Sequence, residues 1–297
     1  MPSRPTTGTL MPYIVLFAAI LLWSSSFVAM KVVLQYFDPY VMIFGRLTVA
    51  SIALAPFYKL LRTVRYQPGD WKTLGFMALC EPCLYFVFES NALQYTSASQ
   101  AGMVTATLPL LVAVTAVPLL GETISRSMMI GFCMAMGGVI WLSLSGTATE
   151  SAPNPILGNA LEGLAMCAAT GYIISLKKLS FRYSPHFLTA FQAVAGAVFF
   201  FPLLFLPGTE LPTSFPMEPV LAIVYLGVCV SLGGYGMHNY AVSKIPASKT
   251  TAFINLIPVF TVIMGWIILG ERLNPQQMAA SVLVLCGVLM SQYAKRR

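Results

Sequence analysis

Six ionisable side chains stand inside long apolar stretches of this sequence: Lys31, Arg46, Glu81, Glu89, Glu162 and His238. At the centre of a bilayer such a residue costs about 2.5–3.5 kcal/mol on insertion scales, so it faces a wet cavity or a partner and marks solute, ion or proton chemistry. Glu81, Tyr85 and Glu89 recur every four residues, which puts all three on one face of a helix. Glu81 sits near the middle of its run and precedes Pro82, whose missing N–H and ring clash release nearby carbonyls. Two readings of Glu81 stand: it meets a substrate ammonium or a proton, or it makes a structural hydrogen bond. Lys31, Arg46 and Glu89 fall in the outer halves of neighbouring runs, as a charge-paired cluster near an outer mouth or as a site for a substrate carboxylate. Glu162 lies near the outer end of its run, within reach of water.

Further along, Ser231, Tyr235, His238 and Asn239 share one helix face, beside the run Gly233-Gly234-Tyr235-Gly236. Those glycines either permit close helix packing or loosen the helix over a site. His238 is a hydrogen-bonded structural group or a proton carrier near neutral pH. Pro109 and Pro258 lie mid-run, with Asn255 just before the second, and are read with Pro82 as hinges. Trp23, Phe27, Tyr85 and Tyr172, with Ser24 beside the first, suit a flat or apolar solute group, or simply pack.

The elements that hold these residues must be membrane helices. Of 297 residues, 57% are hydrophobic and 9% charged, against about 25% charged in a soluble domain. The runs are unbroken apolar stretches, not alternating ten-residue segments, so they read as helices and not as a barrel. Crossing about 30 Å of hydrocarbon takes about 20 helical residues. Ten runs qualify, near 12–36, 39–62, 71–94, 97–120, 126–146, 158–179, 185–207, 218–243, 246–269 and 275–294. Breakers mark their joints, among them Asp38-Pro39, Asn154-Pro155, Ser184-Pro185 and Asn274-Pro275. The first run is too long for the apolar core of a signal peptide and is expected to stay as a span.

Basic residues sort to one side of these runs. Arg4, Lys59, Arg62, Arg65, Lys72, Arg126, Lys177, Lys178, Arg182, Lys244, Lys249, Lys295, Arg296 and Arg297 fall on the side of the N-terminus, while the opposite loops hold Arg272 among acidic residues. By the positive-inside rule both termini are cytoplasmic. The net charge of +7 therefore reads as topology and not as a nucleic-acid footprint, which needs a patch on one face.

The chain also repeats itself. A shift of 149 residues carries Ala98-Ser99 onto Ala247-Ser248, Pro109 onto Pro258, Gly121-Glu122 onto Gly270-Glu271 and Gly138-Val139 onto Gly287-Val288. The expected organisation is a tail at 1–11, a five-helix repeat at 12–146, an extracytoplasmic linker at 147–157, a second five-helix repeat at 158–294 and a basic end at 295–297. Five spans being odd, the second repeat enters the membrane from the opposite face, the design of many alternating-access carriers.

Trp23-Ser24-Ser25-Ser26-Phe27, Arg46, the A-S…P…L-G-E pattern and its copy resemble the EamA type of the drug/metabolite transporter superfamily, over nearly the whole chain. Within it the chain looks most like YddG-type exporters of aromatic and other neutral amino acids. The resemblance implies a central cavity lined by spans 1, 3, 4, 6, 8 and 9, with spans 5 and 10 peripheral, in a bacterial inner membrane. It implies export of amino acids by alternating access, with drug-like cations, nucleotide sugars or sugar phosphates as the alternative solutes and a non-transporting scaffold as the least favoured reading.

Other classes lack their residues. There is no G-x-x-x-x-G-K-[ST] for nucleotide-driven transport, no H-E-x-x-H and no G-x-S-x-G, so no enzyme activity and no cofactor is expected. The six cysteines lie in apolar runs without histidine at ligand spacing, so neither metal nor disulfide framework is expected. The expected partners are a small amino-acid solute and the lipid bilayer, with no nucleic acid, and a monomer is compatible with the sequence.

Overall fold

A computed structural model describes residues 7–57, 66–120, 126–245, 250 and 253–294. Arg4, Lys59, Arg62, Arg65, Lys249 and 295–297, together with the Gly121-Glu122 and Ala247-Ser248 repeat pairs, lie outside the described residues. The chain is almost entirely helical: α1 (Thr7–Val33), α2 (Pro39–Leu54), α3 (Asp70–Ala78), α4 (Tyr85–Tyr95), α5 (Ala98–Val104), α6 (Leu108–Leu120), α7 (Arg126–Leu144), α8 (Pro155–Leu179), α9 (Pro185–Leu203), α10 (Met217–Tyr225), α11 (Tyr235–Lys244), α12 (Ile257–Leu269) and α13 (Pro275–Ala294). Among the described residues five stretches are long and apolar enough to cross a membrane: Leu10–Val33, Ala98–Thr115, Pro155–Leu179, Pro185–Leu203 and Met217–Lys244. Pro39–Leu54, Met129–Leu144, Ile257–Leu269 and Pro275–Ser291 are shorter apolar helices.

The breakers become caps. Asp38 accepts the Tyr40 N–H at 2.8 Å ahead of Pro39, Asn154 accepts the Leu157 N–H at 3.2 Å ahead of Pro155, and Ser184 accepts the Phe187 N–H at 3.3 Å ahead of Pro185. Each pairs an N-cap acceptor with a proline at the first helical position, where the absent N–H costs nothing. Asn274 and Gln277 close α13 reciprocally: Asn274 Oδ1 accepts the Gln277 N–H and Gln277 Oε1 accepts the Asn274 N–H, both at 2.8 Å.

Two helices are interrupted by wide turns. Leu79–Leu84 separates α3 from α4, and within it Glu81 adopts extended angles, φ −149° and ψ 117°. Proline excludes the helical region from the residue before it, and Pro82 does so here. Leu226–Gly234 separates α10 from α11. Both turns sit at the same place when the chain is shifted by 149 residues. The same shift carries Leu108–Leu120 onto the bounds of α12.

Helices 7 and 13 pack tightly together, and glycine makes this possible. A Cβ on Gly287 would come within 2.5 Å of the Ala135 nitrogen, and one on Gly131 within 2.5 Å of the Gly287 carbonyl oxygen. Helix 2 packs on α9, α4 on α8, α5 and α1 on α12, and α1 on α11. Outward-facing side chains are apolar, with Val198 and Ile267 each 68% exposed, a surface made for lipid and not for water.

Candidate functional site

Where these helices converge they leave a cavity between them. Its wall includes nine of the residues singled out from sequence: Trp23, Phe27, Arg46, Glu81, Tyr85, Glu89, Tyr172, Tyr235 and His238. Ser26 and Thr105 line it as well. The common face of Glu81, Tyr85 and Glu89 does turn to the cavity, although the wide turn at Glu81 means that the three do not share one unbroken helix.

Glu81 is buried, and the Tyr235 hydroxyl donates a short hydrogen bond to its Oε1. Its main-chain carbonyl, freed by the break, accepts from Gln192 Nε2 at 3.3 Å, so that oxygen serves helix 9. Tyr85 donates to Glu89 Oε1 at 2.6 Å, and Glu89 Oε2 has no hydrogen-bond partner. Arg46, 1% exposed, donates from Nε to Ser231 Oγ at 2.7 Å and stacks its guanidinium 4.4 Å from the Phe86 ring centre. Among the described residues no carboxylate is in ion-pair contact with it. A cation held by a hydroxyl and an aromatic face keeps donors for a ligand.

Aromatic rings form the remaining wall. Trp23 lies 5.1 Å from Tyr235 and 4.7 Å from His238, centre to centre. Neither His238 nitrogen makes a hydrogen bond of normal geometry. The glycine run supplies both effects considered above: the helix opens through Gly234, and a Cβ there would stand 3.0 Å from Trp23 Nε1, while Gly236 meets nothing.

Other sequence candidates stand behind the wall or apart from it. Ser24 is fully buried and donates to the Ile20 carbonyl at 2.8 Å. Asn239 accepts from the Tyr172 hydroxyl at 2.8 Å and donates to Thr189 and Gln192, which orients Tyr172 from outside the cavity. Asn255 Oδ1 is buried without a partner. Pro109 and Pro258 each take the second position of a helix, α6 and α12, just after a non-α turn. Pro82 borders a smaller void beside Phe86 and Tyr235.

The Lys31, Arg46 and Glu89 set is not assembled. Arg46 and Glu89 share the cavity, but Lys31 Nζ donates to the Ser151 carbonyl at 2.5 Å and lies in the field of Glu271. Nor does Glu162 reach water. It is 0% exposed, neither carboxylate oxygen has a hydrogen-bond partner, and it sits across the α4–α8 interface from Glu89. Run length gave its depth but not its rotation. The signal was the buried stripe Asn159, Glu162, Met166, Ala169, Ile173 and Leu176 at helical spacing, which puts Glu162 on the inward face.

The model of the EamA-like transporter family matches residues 10–144 and again 160–293. The chain belongs to that family. Its relatives include an uncharacterized transporter of Archaeoglobus fulgidus, 26% identical over 94% of this chain and 96% of its own length. Bacillus subtilis YcxC, likewise named an uncharacterized transporter, is 30% identical over 90% of this chain and 88% of its own. A probable terminal-alkyne amino-acid exporter of Streptantibioticus cattleyicolor is 26% identical over 90% and 89%. A solved crystal structure has the same fold at TM-score 0.68 with 20% identity, covering 98% of this chain and 99% of that one. This EamA-like protein is accordingly a multi-pass membrane transporter and not an enzyme.

Proposed function

We propose that this EamA-like transporter exports amino acids with apolar or aromatic side chains, by alternating access across a bacterial inner membrane. The observation that carries the reading is the cavity wall, which offers a guanidinium, carboxylates and aromatic rings within one enclosure: Arg46 for a carboxylate, Glu81 or Glu89 for an ammonium, and Trp23, Phe27 and Tyr172 for the side chain. Bidentate guanidinium recognition suits a carboxylate, and buried carboxylates suit an ammonium. The relative named as a probable amino-acid exporter supports the same solute class.

Ten spans in two inverted halves, with both termini cytoplasmic, give the mechanism. A two-fold axis in the membrane plane brings helices onto their own counterparts, and α2 on α9 and α7 on α13 are such pairs at an offset near 149 residues. Exchanging the two packings between halves opens the cavity to either side in turn. Pro109 and Pro258 are the hinges, each at a helix restart beside the cavity.

Counterflow of labelled L-phenylalanine in proteoliposomes, with a panel of competing solutes, tests this. Exchange inhibited by neutral amino acids is expected, and exchange absent for every amino acid overturns it. The three buried glutamates around a single arginine favour a second reading, an organic cation, which the same panel separates.

A further inference from the structure

Helices 4 and 8 run antiparallel in a register fixed at two points. A Cβ on Gly158 would touch the Ala92 carbonyl and Thr96, and one on Gly171 would touch Cys80 Sγ. Between those points the register sets Glu89 opposite Glu162. Both are buried, 2% and 0% exposed. Of their four carboxylate oxygens, Glu89 Oε1 receives the Tyr85 hydroxyl, and the other three have no hydrogen-bond partner.

Two adjacent carboxylates cannot both stay ionised in such a place. Each would be stripped of water, left short of donors and repelled by the other, whereas one shared proton removes a charge and supplies a donor. Carboxyl dyads that share one proton arise from this arrangement. A metal cation would need about six oxygen ligands, and among the described residues no group of three or more acidic, histidine or cysteine side chains could hold one. The groups facing the pair are Arg46 from α2, Tyr85 from α4 itself, Glu81 from the wide turn, and Tyr235 and His238 from α11 across the cavity. Lys31 of α1 engages Ser151, Asp70 of α3 engages Arg182, and α5 and α6 carry no ionisable side chain. Arg46 thus counters one negative charge at this end, and the second carboxyl is left to a proton.

We propose that Glu89 and Glu162 form a proton site, holding one proton shared between two carboxyl groups, through which solute export is coupled to proton entry. The proton comes from water in the cavity, which Glu89 lines, forms an O–H bond on one carboxyl and leaves to water when the site opens to the other side. A solute ammonium drawn to Glu89 competes for the same negative charge, which ties release of the proton to loading of the solute. The coupling rests on the transport reading above; the proton site itself does not.

Two measurements test it. Infrared titration of the purified protein reads the carboxylic-acid C=O stretch without any solute. A buried acid band at neutral pH that is lost in alkali, and whose frequency or titration midpoint changes in both Glu162→Gln and Glu89→Gln, is expected. A band unchanged in both variants, or one moved by sodium chloride at fixed pH, overturns the proposal. In proteoliposomes with a trapped pH dye, net efflux of L-phenylalanine through the wild type should move protons the opposite way. Glu162→Gln, which does not line the cavity, should keep counterflow and lose the proton signal. Proton movement that survives in Glu162→Gln, or that is absent from wild-type protein active in counterflow, overturns the coupling. Wild-type protein inactive in counterflow refutes the amino-acid reading, and the infrared result then decides the proton site alone.

Discussion

Both carboxylate oxygens of Glu271 accept main-chain N–H bonds at the start of α5, Oε1 from Ala98 and Oε2 from Ser99, each at 2.8 Å. The acceptor follows α12, so it caps a helix about 170 residues away in sequence. Charged acceptors at a helix N-terminus gain from the unpaired amides and the helix dipole together. Replacing Glu271 by Ala should cost about 1–2 kcal/mol, the loss of a good N-cap, read as a lowered unfolding midpoint in detergent. Gln at this position keeps one acceptor and should fall between. An unchanged midpoint in the Ala variant would mean that water caps α5 equally well.

Glu81 offers a sharper test of the cavity. Glu81→Gln keeps the shape and an acceptor for the Tyr235 hydroxyl but removes the charge, so a folded protein with at least about tenfold weaker phenylalanine counterflow is expected, equivalent to about 1.4 kcal/mol. Tyr235→Phe removes the donor instead and leaves Glu81 Oε1 bare. Its effect should be smaller on counterflow than that of Glu81→Gln if the carboxylate meets solute, and equal or larger if the hydrogen bond is its whole role.

What could be read from sequence was whatever depends on position along one helix. The Asp38-Pro39, Asn154-Pro155 and Ser184-Pro185 joints became caps because cap chemistry is local. Likewise the four-residue spacing of Tyr85 and Glu89 put both on the cavity, since a helix repeats its face whatever it packs against, while Glu81 reaches the cavity from the wide turn. Lys31 and Glu162 were misjudged because depth says nothing of which neighbour covers a side chain. Lys31 is drawn off by a carbonyl 120 residues away, and Glu162 is covered by α4. Arg46, expected in a charge cluster near the outer mouth, lines the cavity together with Glu89, and its direct contacts are Ser231, Met30 and Phe86.

The α7–α13 pair should tolerate no side chain at its closest approach. Gly287→Leu would drive carbons into the Ala135 nitrogen and the Gly131 carbonyl, both under 2.7 Å from an ideal Cβ, and backbone cannot yield as a flexible side chain can. Overpacking of this kind costs about 1–3 kcal/mol or more, so low yield and a depressed midpoint are expected. Gly137, on α7, meets nothing within 4 Å. Its replacement by Ala should be neutral or stabilising by up to about 1 kcal/mol, the helix-propensity gain. Equal damage at both positions would argue against close packing as the cause.

Asp70 anchors the start of α3 to the turn after α8. It accepts from Arg182 NH1 at 2.6 Å and from the Tyr183 hydroxyl at 3.0 Å, and Tyr183 in turn accepts the Gln67 N–H at 3.3 Å. The two partners of Asp70 are not equivalent. Arg182 keeps 44% of its side chain exposed, so water and salt replace it readily, and Arg182→Ala should cost under about 1 kcal/mol. Tyr183 is buried at 3% exposure. Removing Asp70 therefore strands a buried hydroxyl, at about 1–3 kcal/mol, and Asp70→Ala should lower the unfolding midpoint well beyond Arg182→Ala. Raising salt should narrow the gap between wild type and Arg182→Ala while leaving the Asp70→Ala deficit largely in place. A deficit of Asp70→Ala that disappears with salt would assign the anchor to the exposed ion pair instead of the buried hydroxyl.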